Sequence, residues 1–119
     1  MKPVIRRFHS PDVFNLQSYV PENPEEFGFL LQLMIGHEGE EGTEAFDVVV
    51  CTPKWLLSKH KKDEVLIGRH YLIVFEYDFA RIADKLNAFC ETCEGVTWPE
   101  VAQKLARLGR WEFEDYNMS

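Results

Sequence analysis

Cys90 and Cys93 form a C-x-x-C pair at the end of a segment with helical periodicity. Two thiolates one helical turn apart can share a metal ion or close a redox disulfide. A structural zinc site asks for four ligands, and no second pair follows at finger-like spacing. Cys51 is the one further thiol in the chain. A redox C-x-x-C belongs at the start of a helix just after a strand, whereas this pair falls at a helix end. The pair therefore reads first as free thiols filling a core. A metal- or thiol-dependent sensor using Cys51, Cys90 and Cys93 stands as an alternative.

His9, His37, His60 and His70 are scattered, each near a predicted element boundary. A catalytic histidine needs a nucleophile and an orienting partner beside it. The chain has neither G-x-S-x-G nor H-E-x-x-H. Surface or turn histidines are the expectation, with a small carboxylate/His enzyme as a further alternative. The reading is of no catalytic residue, no cofactor and no metal.

The densest chemistry is carboxylate. HEGEEGTE places Glu38, Glu40, Glu41 and Glu44 between two apolar runs. A calcium loop wants Asp or Asn at alternating positions, a central Gly and a distal Glu, which this spacing does not supply. Two readings remain. The charges solvate a hairpin tip, or they dock electrostatically on a basic protein face, where they speed association more than they tighten it. A second candidate patch is Trp111 with Glu112, Glu114, Asp115 and Tyr116, which mixes acids with the aromatic types favoured as interface anchors. The expected partner-binding residues are thus Glu38, Glu40, Glu41, Glu44, Trp111, Glu112, Glu114, Asp115 and Tyr116.

Elements must position these groups. Val4 to His9 suits a short first strand. Pro11, Pro21 and Pro24 then argue for an irregular connection up to residue 26. Phe27, Phe29, Leu31, Leu33 and Ile35 alternate with Leu30, Gln32 and Met34, and Phe46, Val48 and Val50 alternate on the return. Gly36, Gly39 and Gly42 can supply positive φ for the turn between them. Thr52-Pro53 reads as a helix start, PKWLLSKH. Tyr71 to Tyr77 is an apolar run of strand length, expected to be a central strand covered on both faces.

Asp78 can cap a helix carrying Phe79, Ile82, Ala83, Leu86, Phe89 and Cys90 at helical spacing. Thr97 to Glu100 has capping-box spacing before the stripe Trp98, Val101, Ala102, Leu105 and Leu108. Gly109 suits a helix stop, and Trp111 and Phe113 suit a short closing strand. The expectation is one α+β domain over residues 1–119, with helices packed on a mainly antiparallel sheet in the order β-β-β-α-β-α-α-β.

Composition narrows the function. The chain has 119 residues, within the range of one domain, and 45% hydrophobic residues, which argues for a folded core over disorder. Its 20 acidic and 13 basic residues give a formal net charge of -7, which argues against a nucleic-acid partner and favours basic ones. The cluster Lys59-His60-Lys61-Lys62 reads as a solvated loop. MKPVIRRFHSPD lacks the apolar segment of a secretory leader, and no stretch approaches the ~20 apolar residues that cross a bilayer. A cytoplasmic location with reduced thiols, and no membrane contact, is expected.

Several segments in this order, FGFLLQLMIG…GEEGTEAFDVVVCTPKWL, GRHYLIVFEYD, W-P-E-V-A-x-K-L and G-R-W-E-F-E-D-Y, resemble the immunity protein 8 family of bacterial polymorphic toxin systems. The similarity runs from about Phe8 to Tyr116. What the resemblance implies is a small cytoplasmic α+β protein that binds and neutralises a cognate toxin without catalysis. It assigns no contact residue. The partner is then the toxin, and oligomeric state stays open.

Overall fold

The computed structural model describes residues 1–114. Its elements are β1 (Pro3–His9), β2 (Gly28–His37), β3 (Glu44–Cys51), α1 (Pro53–Lys59), β4 (Tyr71–Ile73), α2 (Phe79–Glu91), α3 (Trp98–Leu105) and β5 (Arg110–Trp111). This is the expected α+β order. The sheet runs β1-β2-β3-β4, with β5 also paired to β3. All pairs are antiparallel except β3 with β4.

Register explains the core. Phe29 pairs with Val50, Leu31 with Val48 and Leu33 with Phe46. With a two-residue side-chain repeat, these six fall on one face. Leu31, Leu33, Phe46, Val48 and Val50 are all 0% exposed there. Helix α2 brings Ile82, Leu86 and Cys90 onto the same face at i, i+4 and i+8. Helix α3 adds Val101, Ala102 and Leu105. Burying each large apolar side chain contributes roughly 1.5–3 kcal/mol. The pairs Lys2–Glu94, Lys54–Glu25 and Arg81–Glu76 are all exposed and screened by solvent, so burial and not charge holds the layers together.

Caps set the helix starts. Asp78 accepts from the Arg81 amide, and Thr97 from the Glu100 amide. The Glu100 carboxylate reaches the Val96 amide at 3.0 Å, one residue before the position a full capping box would use. Thr52 does two jobs. Its Oγ1 caps α1 at the Trp55 amide (3.3 Å) and accepts from the Phe27 amide (3.2 Å), tying the start of α1 to the strand entry.

The other face of the sheet carries Leu30, Gln32 and Met34 from β2, opposite Val49, Asp47 and Ala45 of β3. These six are half-buried, and none belongs to the core cluster. Both α2 and α3 lie on the first face. Among the described residues, what covers the second is the Trp55 ring at one end, where a Cβ on Gly28 would come within 2.3 Å of it.

One expectation is corrected. The run from Tyr71 to Tyr77 is not a central strand covered on both faces. Pairing stops at Ile73, β4 lies at the sheet edge, and Ile73 and Phe75 are 50% and 80% exposed. The outer edge of β3 is shared: β4 takes Val49 to Cys51, while β5 takes Phe46 and Asp47. A continuous apolar run has strand length but no periodicity to reveal which face is covered. Leu72, Val74 and Tyr77 pack on the core. The turn between β2 and β3 also needs less than expected, since Gly39 alone of its glycines takes positive φ (+87°).

Candidate functional site

The β2–β3 turn is held from below by Arg6. Its Nη2 donates to the carbonyls of His37 (3.0 Å) and Glu40 (2.6 Å). The two arms of the turn approach so closely that a Cβ on Gly36 would come within 2.2 Å of the Gly42 carbonyl. Only a glycine fits there without moving the backbone. Glu38, Glu40 and Glu41 are exposed on this pinned turn. The guanidinium of Arg6 offsets part of the repulsion between three like charges on one loop.

Glu44 differs from its neighbours in sequence. It is half-buried, and its Oε2 accepts two indole N–H groups, from Trp98 (2.8 Å) and Trp111 (2.9 Å). Glu44 follows the core alternation of Phe46 and Val48, so its side chain stands on the helix side, where α3 and β5 converge. His37 lies against Trp98 with ring centroids 6.0 Å apart.

Trp111 stacks on Phe46 at 6.3 Å with planes 8° apart, and Phe113 meets its edge at 5.9 Å. Glu112 extends the edge pairing of β3: its amide donates to the Ala45 carbonyl (3.1 Å), and its Oε1 accepts from the Ala45 amide (2.9 Å). Glu114 is ion-paired with Arg69. Asp115 and Tyr116 lie outside the described residues.

The two patches read separately from the sequence therefore meet at one corner. Glu44, Trp111 and Glu112 come together through the pairing of β5 with β3, with the Glu38–Glu41 turn beside them. Glu114 points its carboxylate to Arg69 instead. Sequence reasoning passed over Arg6 and Trp98 as parts of this corner. No local signal could have found them, since Arg6 reaches the Glu40 carbonyl across 34 positions and Trp98 reaches Glu44 across 54.

The cysteines do not converge. Cys90 and Cys93 are buried in the core cluster under α2, and Cys93 Sγ donates to the Phe89 carbonyl at 3.4 Å. Cys51 pairs with Gly28 on the other face of the sheet and is outside that cluster. Burial pushes the Cys51 thiol up to about 11 and the Cys90 thiol up to about 12, the latter helped by the neighbouring Cys93. Such thiols are poor nucleophiles and poor ligands near neutral pH. Among the described residues no group of three or more His, Cys, Asp and Glu is placed to hold a metal.

The histidines are likewise apart. His70 takes φ +70°, and its Nε2 lies 2.8 Å from the Ala106 carbonyl; its own carbonyl accepts from the Val49 amide. His37 ends β2 at the opposite end of the sheet. At about 3.4 Å per strand residue, some 20 Å separate the two levels. His60 pairs with Glu64, and His9 is exposed at the end of β1. Among the described residues this arrangement offers a pinned acidic corner and keeps the four histidines in separate places. No described helix is long and apolar enough to cross a membrane.

A family model described as Immunity protein 8 matches residues 3–116 of the chain. No curated protein and no solved structure matches it.

Proposed function

The chain belongs to the immunity protein 8 family, and from that membership we propose that it binds and neutralises a cognate bacterial toxin by direct contact, without catalysis, in the cytoplasm. Inhibition of this kind needs no reactive group. An interface of ordinary size laid over the toxin's working surface suffices.

The observation that carries the contact site is the pinned corner: Glu38, Glu40 and Glu41 on a turn fixed by Arg6, with Glu44 anchored by Trp98 and Trp111. Charges on a fixed backbone lose little freedom when a partner docks, so more of their attraction survives as binding. A basic toxin surface is the complement. Around that centre the contact residues are Glu38, Glu40, Glu41, Glu44, Trp111, Glu112 and Glu114, and the segment continues through Asp115 and Tyr116. Glu44, Glu112 and Glu114 act by shaping the surface, because their carboxylates are already engaged.

Co-expression with the product of the neighbouring reading frame tests the role. A one-to-one complex that abolishes that product's toxicity is expected. Undiminished toxicity with no complex would refute it.

A further inference from the structure

Among the described residues, the sheet face opposite α2 and α3 carries more arginines than acids, against the sign of the whole molecule. Arg7 pairs with Met34 and Arg110 with Asp47, so both stand among Leu30, Gln32, Met34, Ala45 and Val49. The Arg6 side chain lies over Gly36 on the same face, 3.2 Å from where a Cβ would be. Three arginines thus flank the face, against two acids, Asp47 within it and Glu112 beside Ala45 at its edge, in a chain of net charge -7. At the β4 edge, Ile73 pairs with Cys51 and adds a side chain 50% exposed. The centre is apolar and the flanks are basic.

We propose that this open face is a second contact surface for the toxin, which would meet it with an apolar patch flanked by carboxylates. The inference rests on the proposed toxin-binding role and extends it from the acidic corner across the sheet. Charge complementarity selects the occupant. A second copy of this chain would set arginines against arginines, a like-charge juxtaposition that costs affinity. A partner bearing carboxylates gains from the same arginines, and guanidinium groups pair well with carboxylates at interfaces. Arg6 links the two surfaces, since it also holds the acidic turn. The partner's complementary surface is therefore bipolar, basic toward the turn and Glu112, and acidic toward Arg7 and Arg110.

The test measures toxin binding by wild type, by Arg7→Glu/Arg110→Glu, and by the same chain carrying Met34→Lys, with melting curves to confirm folding. The arginine reversals should raise the dissociation constant about tenfold or more, and Met34→Lys should weaken binding further. If Met34→Lys proves unfolded, Leu30→Ala probes the same apolar centre. Wild-type affinity in the arginine variant would overturn the open-face contact while the toxin-binding role stood. A concentration-dependent dimer of wild type that the arginine reversals disrupt, with toxin binding unchanged, would assign the face to a second copy instead. Failure of wild type to bind the toxin would remove the role and this face together.

Discussion

Trp111 and Glu44, separated by 67 positions in the chain, meet where the indole Nε1 donates to the carboxylate Oε2 at 2.9 Å. The same oxygen takes the Trp98 indole. One carboxylate thus joins the start of β3, the first turn of α3 and β5. Substituting Ala for Glu44 strands two indole donors and should cost about 1–3 kcal/mol of stability. Glu44→Gln keeps an oxygen that can accept both and should cost under about 1 kcal/mol. Denaturant midpoints decide it, and equal midpoints for Glu44→Ala and wild type would remove the anchor.

Thr52 is 1% exposed and serves two amides, so its loss should exceed that of an ordinary cap. Thr52→Val is expected to lower stability by about 1–3 kcal/mol, because the buried Phe27 amide loses its side-chain acceptor as α1 loses its cap. Thr52→Ser should recover most of it. Urea unfolding of the pair checks the claim, which fails if Val and Ser variants unfold together.

Alkaline conditions should destabilise the fold through its buried thiols. An exposed thiol ionises near 9.0, whereas burial holds Cys51 neutral up to about 11 and Cys90 up to about 12. Between those values the unfolded chain has shed protons that the folded chain keeps, so stability falls as pH rises. Below 9.0 both states carry neutral thiols and these groups impose no slope. Melting temperatures should therefore drop from pH 9 upward, and the drop should be shallower in Cys90→Ala. An identical alkaline slope in that variant would show that other groups set it.

Reversing charge at the turn should act on encounter more than on folding. Glu40→Lys with Glu41→Lys changes two exposed residues and should leave stability within about 0.5 kcal/mol. Association with the toxin should slow about tenfold at low salt and lose much of its salt dependence. Stopped-flow association rates across an ionic-strength series measure this. Rates indistinguishable from wild type would take the turn out of the contact surface.

Most of the element order was legible because local signals agreed with the global fold. Thr52-Pro53, Asp78 and Thr97 mark helix starts by capping chemistry. The alternation in β2 and β3 names the buried face, and Ile82, Leu86 and Cys90 name the stripe of α2. The Tyr71 to Tyr77 run misled because an unbroken apolar string says nothing about its neighbours. No described strand pairs beyond it, and its own pairing is short because β5, from the far end of the chain, takes Phe46 and Asp47 on the same edge of β3.

By itself, the sequence determined the α+β class, the acidic excess, the glutamate-bearing turn and the family. These depend on composition, periodicity and short spacings, which are properties of neighbours along the chain. Only the tertiary structure decided that the turn and the Trp111 segment share a corner, that Glu44 is an anchor, that Cys51 lies across the sheet from Cys90 and Cys93, and that, among the described residues, neither α2 nor α3 covers the sheet face that the arginines flank. Each of these is a contact or a gap between residues far apart in sequence. Loop closure brings such residues together only when the whole core forms, so no local pattern records them.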